Sequence, residues 1–354
     1  MRLTISFVIV FLFVVNPLFA FETDQFNLPP ERLDDIGSEL QQHVTEKIEQ
    51  TLEKLNVKIQ KTVNDKKLSE EKRDSKLREL LSDEILAKEV FKTIGDGMFP
   101  QSKIENWIKS HKFESGNISY KTSYKNSIYV TAPFNYLTLS PTIRVYGVEF
   151  GTDKMAHLFQ QGYSYLKIYK KEMAKGASQL EAYQRAVKWG KRTEKTYYGT
   201  LVSGVYSNAD LAANYAGLKF YLSLTESQKI GDTEIVPLVV RENGLWKINE
   251  VAHADFLKPF ITQHLNEAYN PSRYFSIAEF RKVVIGVIKK RACLQWRERF
   301  SELDSEKFAE IRFSTRVWNG EDYGYTPSES EISIGEICFE SNSEPQQKKL
   351  FTTS

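Results

Sequence analysis

Apolar residues recur at spacings of three and four over residues 34–95, which is typical of amphipathic helices. Asn64-Asp65 interrupts the pattern, and Ser69-Glu70-Glu71 favours the start of a second helix. The first stripe comprises Ile36, Leu40, Val44, Ile48, Leu52, Leu55, Ile59 and Val63. The pattern predicts an N-terminal helical hairpin with a solvated charged face. A coiled coil that binds a partner protein is the alternative interpretation.

The pattern changes after Gly95-Asp96-Gly97. Residues 117–150 are rich in Ile, Tyr and Val, which favour strands, and residues 143–148 are predicted as one of them. Asn243-Gly244 between two strand-like runs predicts a β-hairpin. Helices are predicted over residues 152–174, 178–199, 207–225 and 255–299.

These elements predict an α+β fold that is predominantly α-helical, with a helical hairpin, short β-strands and a central three-helix block. The hairpin unit is expected over residues 21–97, and a mixed core over 98–318 contains the block at 152–225. Residues 319–354 are rich in Ser, Glu and Gly and are predicted to be a flexible tail.

The N-terminus has the pattern of a secretory signal peptide over residues 1–20. Arg2 is the only charge before an apolar run from Ile5 to Val15, and Pro17 then precedes a small residue, Ala20. The run is short for a membrane span, which needs about 20 residues. We therefore expect a periplasmic or secreted protein that is soluble after cleavage. An uncleaved anchor is the alternative, since Leu18 fits the cleavage pattern poorly.

Charge and composition limit the classes of partner that the protein is expected to bind. The formal net charge is +2, and a chain this close to neutral gives no reason to expect nucleic acid. For an exported chain, an envelope protein or a membrane surface is the expected class of partner.

The two cysteines, Cys293 and Cys338, lie 45 positions apart. In an oxidising compartment they can form a disulfide that joins the tail to a helix. Unpaired buried thiols are the alternative. Neither cysteine stands in a nucleophile motif.

Polar residues stand out in the three-helix block. Asp153 and His157 are four apart and share a helix face, while Glu194 falls on the apolar face of the second helix. An unpaired carboxylate there would be costly, so a partner is expected. On the third helix, Asp210 and Asn214 line one side. Packing of the three helices would bring these five residues together.

This constellation fits three interpretations. His157, Asp153, Glu194 and Asp210 are candidate ligands for a divalent metal, which would be the cofactor of a hydrolase. Alternatively, His157 acts as a catalytic base beside Asp153 and Glu194. In the structural interpretation, the negative charge of Asp153 lies in the first turn of its helix and interacts favourably with the helix dipole. Ser207 with Asp210 then forms a helix cap. His253 with Asp255 is a weaker functional candidate.

The segment from 149 to 221 resembles the DUF2279 (YfiM-like) family of predicted periplasmic lipoproteins. The resemblance rests on Gly151-Thr152-Asp153-Lys154 with His157, and on Ser207 to Asn214 with Gly217. The Asp-Lys-x-x-His part is also similar to VanZ-like membrane proteins. The chain differs from the family in its size and in lacking a lipobox cysteine. The resemblance implies a bacterial envelope location but no reaction. It also implies that five residues form one unit: Asp153, Lys154, His157, Asp210 and Asn214. Of these, Lys154, Asp210 and Asn214 are the candidate binding residues.

The sequence thus predicts an exported envelope protein of unknown activity with a buried polar site between helices. A metal-dependent hydrolase using His157, and an interaction module acting through residues 34–95, are the alternatives.

Overall fold

The structure is a computed structural model. It describes residues 22–97, 102–131, 139–196, 199–200, 204–252, 255–274, 278–328 and 330–339. The predicted signal peptide and His253 therefore lie outside the described residues.

The protein is α+β and predominantly helical, as predicted. The helices are α1 Gly37–Asn64, α2 Glu70–Leu80, α3 Asp83–Ile94, α4 Lys103–Ser110, α5 Thr152–Ala156, α6 Gly162–Ala174, α7 Gln179–Glu194, α8 Asn208–Ser223, α9 Ala278–Val287, α10 Cys293–Arg299, α11 Ser305–Ser314 and α12 Ile334–Cys338. The strands are β1 Ser119–Tyr120, β2 Thr142–Val145, β3 Val148–Gly151, β4 Val205–Tyr206, β5 Gln228–Ile230, β6 Thr233–Ile235, β7 Val239–Glu242, β8 Leu245–Ile248 and β9 Arg273–Tyr274. They form one three-stranded antiparallel sheet, β1-β2-β3, and the pairs β4-β9, β5-β6 and β7-β8.

The N-terminal region forms three helices where a hairpin of two was predicted. Ser82 interrupts the second predicted helix, because its side chain accepts a hydrogen bond from the Ile85 N–H and begins α3 as an N-cap. Apart from Val63, which is half exposed, the apolar stripe of α1 is buried in the same hydrophobic core as the central helices. In this structure, α1 and α3 are therefore part of the body of the protein and do not stand apart from it.

The central helices cross very closely. α5 continues through a π-helical turn, His157–Gln161, into α6. A Cβ atom on Gly162 would lie 2.5 Å from the Gly217 Cα of α8, so only glycine permits this approach. The Tyr221 hydroxyl of α8 donates a hydrogen bond of 2.8 Å to the Phe159 carbonyl in the π turn. The crossing holds the polar start of α5 against the start of α8.

The strands are shorter than predicted. The strand expected at 143–148 is the hairpin β2-β3, which turns at Tyr146 and Gly147 with φ of 50° and 83°. Within 117–130, only Ser119–Tyr120 forms a strand, and Tyr124–Asn126 is a 3-10 turn. The hairpin β7-β8 turns at Asn243-Gly244, both with positive φ, as predicted.

The helix predicted at 255–299 begins only at residue 278. Pro259 and Pro271 lie in the earlier part and lack the N–H that a helix interior needs. That part forms two 3-10 turns, Lys258–Phe260 and Gln263–Leu265, and then β9. This break in the helix brings residues 263–270 into the interior.

The part of the predicted flexible tail that the structure describes is packed. Tyr323 is buried, and the Glu321 carboxylate accepts hydrogen bonds from Tyr215 and Lys219 of α8. Cys293 and Cys338 form a disulfide with a Cα–Cα distance of 5.0 Å, joining α10 to α12. Composition alone therefore placed the start of the tail too early, since its aromatic residues anchor it to the core.

Among the described residues, no helix is both long enough and apolar enough to span a membrane.

Candidate functional site

The candidate site is a buried group of charges between the start of α5, the start of α8 and the segment 263–270. Its centre is the Lys154 ammonium group. Three carboxylates surround it, and we refer to the four side chains as the lysine cluster: Lys154, Asp153, Asp210 and Glu267.

Local sequence features place these side chains. Gly151 precedes α5 where a Cβ atom would lie 2.0 Å from the Thr23 hydroxyl oxygen, so a larger residue would push the N-terminal segment away. Ser207 begins α8, and its hydroxyl accepts a hydrogen bond from the Asp210 N–H at 3.1 Å. The Ser207 half of the predicted cap is therefore present, but the Ser207 N–H donates to Glu194 and not to Asp210. The Asp210 carboxylate instead pairs with Lys154 and His157.

The Lys154 ammonium nitrogen lies 2.5 Å from Asp153, 2.6 Å from Asp210 and 2.7 Å from Glu267. Its side chain has no solvent exposure. Burial by itself would lower the pKa of Lys154, but the three carboxylates together raise it well above its usual value. Lys154 is therefore a permanent cation here and does not act as a base.

Glu267 is the member of the cluster that titrates near neutrality. Burial raises its pKa to about 7, against the opposing effect of Lys154. Its carboxylate also accepts hydrogen bonds from the Tyr129 hydroxyl at 3.2 Å and the Ser207 hydroxyl at 3.2 Å.

Glu194 lies beside the cluster and does not contact Lys154 directly. It accepts a hydrogen bond of 2.9 Å from the Ser207 N–H. Burial first, and then repulsion by Asp210, raises the pKa of Glu194 well above its usual value. The partner expected for this carboxylate is therefore a backbone N–H group, and the side chain favours its neutral form.

His157 is held on both sides of its ring. Its Nε2 atom lies 3.1 Å from Asp210 Oδ2, and its Nδ1 atom lies 3.0 Å from Asn214 Oδ1. Only 12% of the side chain is exposed. Burial would raise the pKa of Asp210, but His157 and Lys154 outweigh it and the pKa is lowered. Both ring nitrogens of His157 are therefore in contact with oxygen atoms of buried side chains.

The predicted metal ligands are only partly brought together. Carboxylate oxygens of Asp153, Asp210 and Glu267 lie within 4.8 Å of one another, which is close enough for a shared ion. However, the Lys154 ammonium lies at their common contact point. A divalent metal would have to displace a buried cation that is already paired, so the donor set fits lysine better than it fits a metal.

The sequence pattern did not reveal three members of the site. They are Glu267, Tyr129 and Thr23, which donates a 2.7 Å hydrogen bond to Asp153. Tyr129 and Thr23 lie outside the predicted helices. Glu267 falls inside the predicted helix 255–299, where an acidic residue is unremarkable. Only the prolines at 259 and 271 indicated that this segment is not helical.

The high pKa of Glu267 makes a testable prediction about stability. The unfolded carboxyl loses its proton near pH 4.5, while the folded one keeps it to about pH 7. The wild-type protein therefore loses stability as pH rises through this window, because the folded state binds the extra proton. In Glu267→Gln this loss is absent, so the variant should gain on the order of 3 kcal/mol relative to wild type between pH 4.5 and 7.

The measurement is chemical denaturation of both proteins from pH 4 to 8. Glu49→Gln, at an exposed position of α1, is the matched control and should track the wild type much more closely. A constant difference between Glu267→Gln and wild type across this range would contradict the prediction.

A cleft of about 320 Å³ lies next to the lysine cluster. The cluster supports its wall: Gln25 accepts a hydrogen bond from the Glu267 N–H at 2.6 Å and donates one to the Glu149 carbonyl at 3.0 Å. Asn266 donates another to the same carbonyl at 2.8 Å. The cleft is lined by Gln25, Asn27, Leu28, Pro29, Arg32, Thr142, Arg144, Gly147, Glu149, Gln263, Asn266, Tyr269, Trp296, Arg299, Phe300 and Glu302. Sequence patterns did not indicate this site, because its walls come from segments far apart in the chain.

No family model, curated protein or solved structure matches this chain. The resemblance to the DUF2279 and VanZ-like proteins therefore stays a prediction, and the site must be interpreted from its own geometry.

Proposed function

We propose that this is an exported protein of the bacterial envelope that binds a small-molecule ligand in the cleft beside the lysine cluster. The observation that carries the proposal is a contrast between the lysine cluster and the cleft. The lysine cluster is buried and its charged groups pair with one another, whereas the cleft beside it is open and has polar residues in its lining. A cleft of this volume falls within the range of small-molecule sites.

Export is supported by two features. The first 20 residues have the charged, apolar and small-residue regions of a signal peptide. The disulfide between Cys293 and Cys338 is of a kind that persists in oxidising compartments and is rare in the cytosol.

Binding is favoured over hydrolysis by the surroundings of His157. Its two ring nitrogens contact Asp210 and Asn214, and His157 does not line the cleft, so a ligand bound there would not contact the imidazole. Lys154 remains protonated, so it is not a nucleophile at neutral pH. The cluster is therefore better suited to holding the cleft walls in place than to reacting.

A separate interaction module over residues 34–95 is less well supported. The buried face of α1 packs into the common core, and the Asn56 side chain is hydrogen-bonded to the backbone of Trp246 in β8. Deleting residues 34–95 would expose that core, so these helices are better understood as part of the fold.

Export is tested by fusing alkaline phosphatase, which requires disulfide formation for activity, to the C-terminus of the full chain in a bacterial host. We expect an active fusion, and an inactive one when residues 1–20 are deleted. An active fusion without these residues, or an inactive fusion with them, would argue against export by this signal.

Binding is tested by thermal unfolding of the mature protein with a panel of neutral, anionic and cationic metabolites. We expect at least one compound to raise Tm by mass action and to remain chemically unchanged when followed by NMR. Turnover that disappears in His157→Ala would instead support the hydrolase. If no compound of any charge class raises Tm, the proposed binding function fails.

A further inference from the structure

Four segments of the chain enclose the cleft. They are the N-terminal segment, the β2-β3 hairpin, residues 263–269, and α10 with the residues that follow it. Trp296 of α10 also lines the cleft, and its indole N–H donates to the Phe26 carbonyl at 2.7 Å. The cleft is therefore a fixed cavity with walls tied together by hydrogen bonds.

Two arginines in these walls have incomplete hydrogen bonding. Arg299 donates from Nη2 to the carbonyls of Pro29 and Pro30 at 2.5 and 3.0 Å, but its buried Nη1 has no hydrogen-bond partner among the described residues. Arg144 donates from Nη1 to the Leu33 carbonyl at 3.3 Å. Its buried Nε lies 4.0 Å from Asp35, too far for a hydrogen bond.

Such donors are costly to leave unpaired. A buried N–H of a charged group loses its hydrogen bonds to water, and only another acceptor can replace them. Each guanidinium is already held in place by backbone carbonyls, so its free N–H groups are oriented before any ligand arrives. Carboxylate and phosphate groups are the acceptors that match a guanidinium best, because two of their oxygens can accept hydrogen bonds from one guanidinium side by side.

The charged residues that line the cleft are three arginines and two glutamates, Glu149 and Glu302, so positive charge is in excess. Arg32 adds a third guanidinium at the exposed end. Burial raises the pKa of Glu149 despite the opposing effect of Arg299, Arg144 and Arg32, so this carboxyl is less easily ionised than usual. The main acidic group in the cleft wall therefore opposes a bound anion less than an ordinary glutamate would.

We propose that the cleft binds a small organic oxyanion, with its carboxylate or phosphate group accepting hydrogen bonds from Arg144 and Arg299. The inference rests on the proposed binding function and names its class of ligand. Tyr269 and Phe300 lie along the same cleft and provide surfaces for the remainder of the molecule.

The test uses the mature protein with its disulfide intact. Thermal unfolding is measured with inorganic phosphate, sugar phosphates and mono-, di- and tricarboxylates, each beside a neutral analogue of the same carbon skeleton. The strongest compound is then titrated by calorimetry. We expect oxyanions to bind and their neutral analogues not to bind, and the phosphate and carboxylate arms show which group is preferred.

Arg299→Gln should weaken binding of that compound about tenfold or more, and Arg299→Lys should recover part of the loss because it keeps the charge. Arg291→Gln is the matched control, because Arg291 is an exposed arginine in a second π-helical turn, Ile288–Ala292, and does not line the cleft. It should leave the affinity unchanged.

Three results would overturn the inference. One is the absence of binding by every oxyanion in the panel. A second is equal affinity in Arg299→Gln and wild type. The third is binding of neutral analogues as strongly as their anions, which would refute the ligand class while leaving the proposed binding function intact.

Discussion

Replacing Lys154 with methionine is expected to destabilise the protein by about 3–5 kcal/mol, because it leaves carboxylates buried without their cation. The ammonium has no solvent exposure and contacts Asp153, Asp210 and Glu267 at 2.5–2.7 Å. Methionine has a similar length and is apolar, so little packing is lost. The free energy of unfolding is to be measured by denaturant titration with circular dichroism.

Lys175→Met provides the matched control. Lys175 pairs with Glu172 at 2.6 Å, but the lysine side chain is 56% exposed. Surface pairs of this kind contribute about 1 kcal/mol or less. If Lys154→Met is no more destabilising than Lys175→Met, the lysine cluster does not support the fold as we describe it.

The double variant Lys154→Met with Asp153→Asn tests the cause of the loss. Removing one uncompensated carboxylate should restore part of the stability lost in Lys154→Met. If the single variant is too unstable to purify, recovery of folded protein in the double variant still reports the effect. No recovery in either measure would indicate that packing, and not charge, dominates at this position.

Removing the disulfide is expected to have the second large effect. Cys293 and Cys338 are 45 positions apart, and closing a loop of that length restricts the unfolded chain by about 4 kcal/mol in the entropic account. We expect a loss of about 2–4 kcal/mol in Cys293→Ala/Cys338→Ala, since both sulfurs are buried and alanine introduces no unpaired polar group there.

Wild-type protein unfolded under reducing conditions provides the comparison. It should lose about the same stability as the double variant, while the reductant should leave the double variant unchanged. The Arg297 guanidinium donates to the Cys338 carbonyl and keeps α12 near α10 without the bond. Equal stability of oxidised and reduced wild type would show that this contact suffices and would contradict the prediction.

The parts of the fold that were predictable are those with local physical causes. The apolar stripe of α1 follows from residue spacing, and the turn at Asn243-Gly244 follows from two residues that tolerate positive φ. The C-terminal segment was predicted less well. Helical propensity suggested one helix over 255–299, whereas Pro259 and the packing of residues 263–270 give turns.

The site was predictable only where its residues share an element or a motif. Asp153 and His157 lie one helical turn apart, and Ser207 with Asp210 forms a local cap, so both pairs could be identified from spacing. Lys154 was indicated only by the family resemblance. Glu267 could not be identified, because its contact with Lys154 spans 113 positions and depends on the whole fold. Sequence spacing indicated that Asp153 and His157 share a helix face, but not that the neighbouring Lys154 contacts Asp153 and Asp210.

The distances along the chain between members of the lysine cluster bear on how the protein folds. Lys154 meets Glu267 across 113 positions, and Asp153 meets Thr23 across 130. Contacts between residues so far apart form late, since a long stretch of chain loses its freedom before they stabilise it. We expect slow folding and a single cooperative transition for the region that these contacts join. A fragment ending before residue 267 would lack the Glu267 carboxylate that completes the lysine cluster. It should remain sensitive to proteases even though it contains all three central helices.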